Sequence, residues 1–166
     1  MNSRFSFIDR DRVTSARVAQ FPAYWQGKCV GDCPPPRGAI QPFDMPKLLP
    51  YLVLVDIEPE GMRVRYRLVG THEAEANGSD FTGRYLDECG FAIEASLVEC
   101  HRRLVTTRRP VYTVYEWHRE DLRGARGSVG ASETGFFPLS SDGIVVDGAI
   151  SVADSGFRLY TQGTRG

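Results

Sequence analysis

Residues 52–69 read LVLVDIEPEGMRVRYRLV, and this stretch decides the fold class. The segment 52–57 is an almost continuous apolar run, which is typical of a strand buried on both faces. In the segment 62–69, arginines alternate with apolar side chains, as they do in a half-buried strand. Glu60 and Gly61 supply a turn between the two segments. We therefore predict a β-hairpin here.

Helical signals follow the hairpin. Short helices are expected after Gly70 and near Asp80. The segment 91–107 has the strongest helical pattern of the chain, because its apolar residues recur on one stripe at helical spacing. These residues are Ile93, Leu97, Cys100 and Leu104. We predict one long helix that ends before Pro110.

Three more strands are predicted after this helix, at 111–118, through 136–139 and at 144–152. The segment 121–130, rich in Gly and Arg, is expected to be the loop between the first two. Two strands, several helices and three strands cannot form an alternating parallel sheet. The sequence therefore predicts an α+β fold with a five-stranded antiparallel sheet and helices on one face.

The N-terminal part is expected to be helical. Val18, Phe21 and Trp25 stand at spacings of three and four, which indicates an amphipathic helix capped by Asp9 or Asp11. A proline-rich connector follows. The predicted organisation is an N-terminal helical extension at 1–30, the main domain at 31–155 and a C-terminal tail at 156–166.

Composition excludes several classes of protein. The chain has 166 residues and a net charge of −1, which argues against a nucleic-acid binder. It has no run of about 20 apolar residues, so no membrane span is predicted. Charged residues near the N-terminus argue against a secretory signal, and we expect a cytoplasmic protein. Cys29 and Cys33 could supply half of a zinc site, but a second pair is missing, so no metal site is predicted.

Residues 77–88 read NGSDFTGRYLDE. This stretch resembles the small helical turn of PAS domains, and the predicted order of two strands, several helices and three strands is also the order of that fold. Other motifs resemble a bacterial, largely alphaproteobacterial family of single PAS-domain proteins: Tyr24-Trp25, Pro36-Arg37 with Pro42, Leu48-Leu49-Pro50, Tyr66-Arg67-Leu68-Val69-Gly70-Thr71, Thr82-Gly83, and Phe137-Pro138-Leu139-Ser140 with Asp142-Gly143. The resemblance covers about residues 20–150. The stretch 121–132 departs from the family pattern.

The resemblance implies a PAS-like sensory module that binds an unknown small molecule between the inner face of its sheet and the long helix. Candidate ligand-binding residues are Arg67, His72, Asn77, His101, Tyr115 and Trp117. Each has an alternative interpretation. Arg67 is also typical of a solvent-facing strand residue, and His72 and Asn77 of helix caps. His101 and the two aromatic residues are also typical of core positions.

The cofactor is unknown, and the resemblance suggests two hypotheses. Some PAS sensors hold haem through a histidine on the long helix, which would make His101 the axial ligand. Flavin photosensors of this fold carry a reactive cysteine just after an Asn on a short helix. Here Gly78 follows Asn77, so the flavin-photosensor pattern is absent.

A homodimer is also expected. Phe21, Tyr24 and Trp25 give the N-terminal helix more apolar surface than a lone flanking helix leaves exposed, and PAS domains often dimerise through such helices. About fourteen residues follow Val152, so output is expected through contact with a partner signalling protein. A purely structural dimerisation module is a further alternative.

The enzyme alternative is a small cone-shaped isomerase or dehydratase with an Asp or His base beside an apolar cavity. Candidate bases are Asp56, His72, Asp80 and His101. No nucleophile elbow, phosphate loop or HExxH motif is present, so the sequence favours a non-catalytic module. A deep pocket with a buried carboxylate of raised pKa would favour an enzyme, and a pocket with only apolar lining would favour a sensor.

Overall fold

The computed structural model describes residues 2–119 and 128–157. Their strands form one antiparallel sheet of six strands in the order β1-β4-β5-β6-β2-β3. The strands are β1 (Asn2–Ile8), β2 (Leu52–Glu58), β3 (Arg63–Val69), β4 (Val111–Arg119), β5 (Ser128–Leu139) and β6 (Gly148–Phe157). The α-helices are α1 (Ala16–Lys28), α2 (Thr71–Asn77) and α3 (Glu94–Thr107). None of these described helices has the length and apolar character needed to cross a membrane.

The prediction of five strands is wrong, because β1 pairs with β4 and adds a sixth strand at the sheet edge. Phe5 lies opposite Tyr115 in this pair, and their ring centroids are 6.5 Å apart. The alternation of Phe5 and Phe7 with polar residues is a period-two signal, typical of a strand. The region expected to be a helical extension therefore contributes a strand to the sheet.

Helix α1 begins later than predicted. Its N-cap is Ser15, whose hydroxyl accepts a hydrogen bond from the Val18 amide at 3.3 Å, and not Asp9 or Asp11. The segment Arg10–Arg12 forms a separate 3-10 turn. Helix α1 packs on one face of the sheet, which we call the outer face. Phe21 of the helix contacts Phe137 of β5, with ring centroids 4.7 Å apart.

Helices α2 and α3 cover the opposite, inner face of the sheet. The long helix ends as predicted at Thr107, where Arg108 takes a left-handed conformation with φ of 59° and donates its amide to Leu104. Strand β6 begins at Gly148, four residues later than predicted. Residues before it form a turn because the Asp142 carboxylate accepts the amides of Ile144 and Val145, both at 2.8 Å.

Strand β6 shows how the two faces differ. Its outward residues Ile150 and Val152 are large and pack in the core beneath α1. Its inward residues Ala149, Ser151 and Ala153 are small. Small side chains leave free volume above the inner face, under α3. Most of the loop predicted at 121–130 and of the tail predicted at 156–166 lies outside the described residues.

Candidate ligand-binding site

A cavity of about 550 Å³ lies between the inner face of the sheet and helices α2 and α3. Its volume is within the range of small-molecule sites. Most of its wall is apolar, formed by residues that include Val53, Val55, Tyr66, Phe81, Phe91 and Leu97. Its floor is the small, partly hydroxylated stripe Thr113, Ser132, Thr134, Ser151, Ala153 and Ser155.

His101 stands at the α3 side of the cavity and is only 3% exposed. Its Nδ1 lies 2.7 Å from the Leu97 carbonyl oxygen, which can only accept, so Nδ1 carries the proton. Burial lowers the pKa of His101 to about 4, against the opposing effect of this hydrogen bond. The ring is therefore neutral near pH 7. Within the described residues Nε2 has no hydrogen-bond partner, so a lone pair is available to the cavity.

Glu73 of α2 is 9% exposed and also borders the cavity. Its Oε1 accepts a hydrogen bond from the Ser155 hydroxyl at 2.9 Å. The Ser132 hydroxyl lies 3.1 Å from that of Ser155 and donates to it, because Ser155 has already given its only proton to Glu73. No described residue bonds to the second carboxylate oxygen, Oε2. Glu73 is thus only partly satisfied by the protein.

Burial is the main cause that raises the pKa of Glu73 above its ordinary value. The nearby Asp154 charge raises it further, whereas the Ser155 hydrogen bond and His72 lower it. The protonation of a buried carboxyl group is sensitive to nearby charges, so a charged ligand in the cavity would change the pKa of Glu73.

The two titratable groups occupy opposite ends of the cavity. Glu73 bonds to Ser155, whereas the His101 ring packs edge-on against Phe136, with centroids 5.6 Å apart. Phe136 pairs with Ser151 across the sheet. Ser151 and Ser155 are four residues apart on β6, which corresponds to roughly 13 Å along a strand. Within the described residues His101 and Glu73 contact different positions along β6 and share no hydrogen bond.

Aromatic residues of β4 border the cavity beside β1. Tyr115 and Trp117 are half-buried, and their ring centroids are 5.3 Å apart. Trp117 pairs with Gly130, and a Cβ atom on Gly130 would lie 2.2 Å from the indole ring. Glycine is therefore required at this position to let the Trp117 ring lie across the neighbouring strand.

Four of the six predicted ligand-binding residues border the cavity: Asn77, His101, Tyr115 and Trp117. Arg67 does not, because it points to solvent from the edge strand β3, where its Nε is 3.0 Å from an Asp56 carboxylate oxygen. Arg37 pairs with the same carboxylate. The alternation that was correctly interpreted as a half-buried strand places this arginine on the exposed side.

His72 also stays outside the cavity wall. Its Nε2 donates to the Ser155 carbonyl oxygen at 3.0 Å, and its ring packs at a tilt against the Tyr51 ring, with centroids 4.4 Å apart. Asn77 reaches the cavity, but its side-chain amide donates to the Glu73 carbonyl oxygen at 2.9 Å and so closes the end of α2. The Asn77 contact corresponds to the capping alternative, whereas His72 caps no helix and instead ties α2 to strand β6. Of the proposed catalytic bases, Asp56 is bound in surface ion pairs and Asp80 in a turn with Thr82.

Sequence reasoning missed Glu73 and the hydroxyl residues of the floor. Glu73 follows His72 at the start of a short helix, where an acidic residue is ordinary. The floor had a detectable signal: in the stretch 149–155, AISVADS, small residues occupy every second position. A strand with one row of small side chains leaves space above that row.

A family model of the PAS domain matches residues 13–125, more than half of the chain. The chain belongs to the PAS domain family. Members of this family are generally sensory modules without catalytic activity. The match includes α1, so this helix belongs to the region that the family model describes.

Two solved structures share similarity with this PAS domain. One is of an RNA-binding Light-Oxygen-Voltage receptor, with 15% identity and a TM-score of 0.39 over 74% of this chain and 35% of that chain. The other is the PAS domain of an HTR-like protein from Haloarcula marismortui, with 15% identity and a TM-score of 0.37 over 68% of this chain and 95% of that chain. The chain thus spans about a third of the first protein. No curated protein matches the sequence.

The surface expected to form a homodimer is not available in this PAS domain. Phe21 is 1% exposed and Trp25 is 5% exposed, because both pack against Phe137 within the same chain. The Trp25 indole nitrogen also donates to the Pro138 carbonyl oxygen at 2.9 Å. Tyr24 is half-buried and donates to Asp44 at 2.8 Å. The reason for expecting dimerisation through these residues is therefore removed.

The lining fits haem only in part. The free nitrogen of His101 is a suitable axial ligand, and its other nitrogen is fixed by a backbone carbonyl, as in many metal-binding histidines. Haem also carries two carboxylates. Among the residues that the structure describes, no Lys or Arg lines this cavity, and the one charged side chain there is Glu73, which repels them. Haem is thus a poor match for the cavity as a whole.

Proposed function

We propose that this PAS domain is a sensory module of the bacterial group that its motifs resemble, and that its signal is a small, mainly apolar molecule. The cavity between the sheet and α3 carries this proposal, because it combines sufficient volume with apolar walls and a few polar groups. The ligand would contact α2 and α3 as well as the sheet. A ligand-dependent shift of these helices would alter the surface that a partner signalling protein binds.

Occlusion of the cavity tests the proposal. Ala153 lies on the cavity floor, so Ala153→Phe fills the space with an aromatic ring. Ala19→Phe on the exposed side of α1 is the matched control. The neutral fluorescent probe N-phenyl-1-naphthylamine is expected to bind the wild type and the control but not Ala153→Phe. Native mass spectrometry of freshly purified protein should show a retained small molecule in the wild type and in Ala19→Phe, but not in Ala153→Phe.

Equal probe binding by Ala153→Phe and the wild type would place the binding elsewhere and contradict the proposal. Circular dichroism and the unfolding midpoint serve to check that Ala153→Phe is folded. The proposal would also be contradicted if the wild type bound no probe and retained no small molecule.

An acid–base enzyme is the second candidate, because a buried carboxyl of raised pKa in a deep cavity is the feature that favours one. The separate contacts of the two groups argue against it: Glu73 bonds to Ser155, whereas His101 packs on Phe136, the partner of Ser151, and Ser151 and Ser155 lie roughly 13 Å apart along β6. General acid–base catalysis requires each group within hydrogen-bond reach of the proton that it transfers. An isomerase or dehydratase would convert added alcohols or carbonyl compounds into products with new NMR signals, whereas the sensor would leave their NMR spectra unchanged.

A further inference from the structure

We infer that Glu73 selects a cationic ligand, a protonated amine on an apolar body. This inference rests on the proposed function, since it names the class of molecule that the cavity binds. Three features of the cavity support it: its charge, the unsatisfied carboxylate oxygen and the neighbouring aromatic rings.

The charge of the lining is one-sided. Within the described residues Glu73 carries the one carboxyl group of the cavity wall, and no basic side chain other than the neutral His101 lines it. An anionic ligand would find no counter-ion and would be repelled by Glu73. A buried cation would instead be paired, which removes most of the desolvation cost of both charges.

The second oxygen of Glu73 is available to a ligand. Ser155 bonds to Oε1, and Oε2 has no hydrogen-bond partner within the described part of the chain. A carboxylate oxygen accepts hydrogen bonds, and an ammonium group donates up to three of them. The Ser132–Ser155 hydroxyl chain fixes the carboxylate from the sheet side, so the open oxygen keeps a defined position.

Aromatic rings line the same cavity. Tyr66 and Phe81 meet edge to face with centroids 4.6 Å apart, and Phe81 and Phe91 do so at 5.2 Å. All three line the cavity. Ring faces attract cations, and together with a carboxylate they form the usual recognition site for ammonium groups. The apolar remainder of the ligand would lie over the small residues of the floor.

Matched compounds with one apolar body and different head groups test the inference. Tryptamine, tryptophol and indole-3-propionate carry a cationic, a neutral and an anionic head on the same indole-ethyl group. Phenethylamine, 2-phenylethanol and 3-phenylpropionate form a second series. Isothermal titration calorimetry on the full chain at pH 7.5 is expected to give the order amine, alcohol, acid, with the amine at least about 10-fold tighter than the alcohol.

Glu73→Gln keeps the shape of the side chain and removes its charge, so the amine should lose its preference over the alcohol. Glu75→Gln makes the same charge change on the exposed side of α2 and should leave the order unchanged. Ser155→Ala retains the Glu73 carboxylate and should retain the amine preference, which provides a second test if Glu73→Gln folds poorly. Lower pH should weaken amine binding, because protonation of Glu73 removes the attraction.

Binding of the alcohol or the acid to the wild type as tightly as the amine would overturn the inference and leave the proposed function intact. Persistence of the amine preference in folded Glu73→Gln would overturn it as well. Failure of all six compounds to bind the wild type, with no molecule retained in native mass spectrometry, would instead overturn the proposed function and this inference with it.

Discussion

The outer and inner faces of the sheet both bury carboxylates, but in different states. On the outer face, Glu133 is 1% exposed and accepts hydrogen bonds from both the amide and the hydroxyl of Thr14 and from the Ser15 amide at 2.7 Å. Asp154 accepts the Ser15 hydroxyl at 2.6 Å and pairs with Arg17. On the inner face, the Glu73 carboxylate has one hydrogen bond to the described residues, from Ser155, and its other oxygen is open.

The two states indicate two roles. A carboxylate whose acceptor sites are filled by the start of a helix holds that helix in place and has nothing left to offer a ligand. A carboxylate that is buried beside a cavity and only half satisfied destabilises the empty protein, and a ligand can remove that cost. The outer face therefore serves the fold, and the inner face is suited to binding.

The largest expected effect comes from Phe136 and Phe137, which are neighbours on β5 and point to opposite faces. Phe137→Ala should lower the free energy of unfolding by about 3–5 kcal/mol, because it opens a cavity in a filled core beneath α1. Phe136→Ala should cost less, because that ring already borders a cavity. Urea unfolding of both variants measures the difference. Equal losses would mean that the inner face is packed as tightly as the outer one.

The same Glu→Gln change on the two faces should have unequal effects. Glu133→Gln places an amide NH₂ against the Thr14 and Ser15 donors, and we expect a loss of about 2–4 kcal/mol. Glu73→Gln in the ligand-free protein should change stability by less than about 1 kcal/mol or increase it, because an incompletely satisfied buried charge is removed. Chemical denaturation at pH 7.5 compares the two. A large loss of stability in Glu73→Gln would show that the Glu73 carboxylate is needed to hold the fold together.

The low pKa of His101 predicts that the stability of the protein falls in mild acid. Its pKa of about 4 in the folded protein is below the value of about 6.5 in an unfolded chain, so the unfolded chain binds the proton more readily between these values. Its contribution to stability is complete above about pH 6.5 and is lost as the pH falls towards 4. Between pH 7 and pH 5 the wild type should lose about 2 kcal/mol more than His101→Gln. Parallel pH profiles of the two proteins in urea unfolding would contradict this.

The smallest effect is expected at Arg67, which stands outside both cores. Arg67→Gln breaks an exposed ion pair with Asp56, and such pairs contribute less than about 1 kcal/mol. Binding of the neutral naphthylamine probe should be unchanged, because the side chain does not border the cavity. A clear loss of probe affinity would return Arg67 to the ligand-binding site.

Much of the fold could be predicted because it depends on local periodicity. The hairpin at 52–69 and the helix ending at Thr107 both appear in the structure with small shifts of their bounds. Strand β1 was missed because its short alternating pattern stands directly before a helical one. Its role as the sixth strand depends on pairing with β4, more than a hundred residues later. Sequence periodicity contains no information on such a partner.

The site was predicted less completely, for a related reason. His101, Tyr115 and Trp117 lie on elements whose inward faces could be deduced from the pattern, and they do border the cavity. Arg67 was chosen for its charge although its strand pattern placed it outward. Nothing in the sequence pattern indicated the carboxylate that lines the cavity, because Glu73 becomes buried only when α2 folds back onto β6 and Ser155.

The sequence by itself determined the order of strands and helices from β2 onward, the alternating faces of those strands and, through its motifs, the resemblance to the PAS family. Only the tertiary structure decided that α1 is buried against the sheet, that β1 closes one edge, and that Glu73 and His101 face one cavity. The physical reason is that periodicity tells which residues share a face of an element. What covers that face depends on contacts between segments that are far apart in the chain.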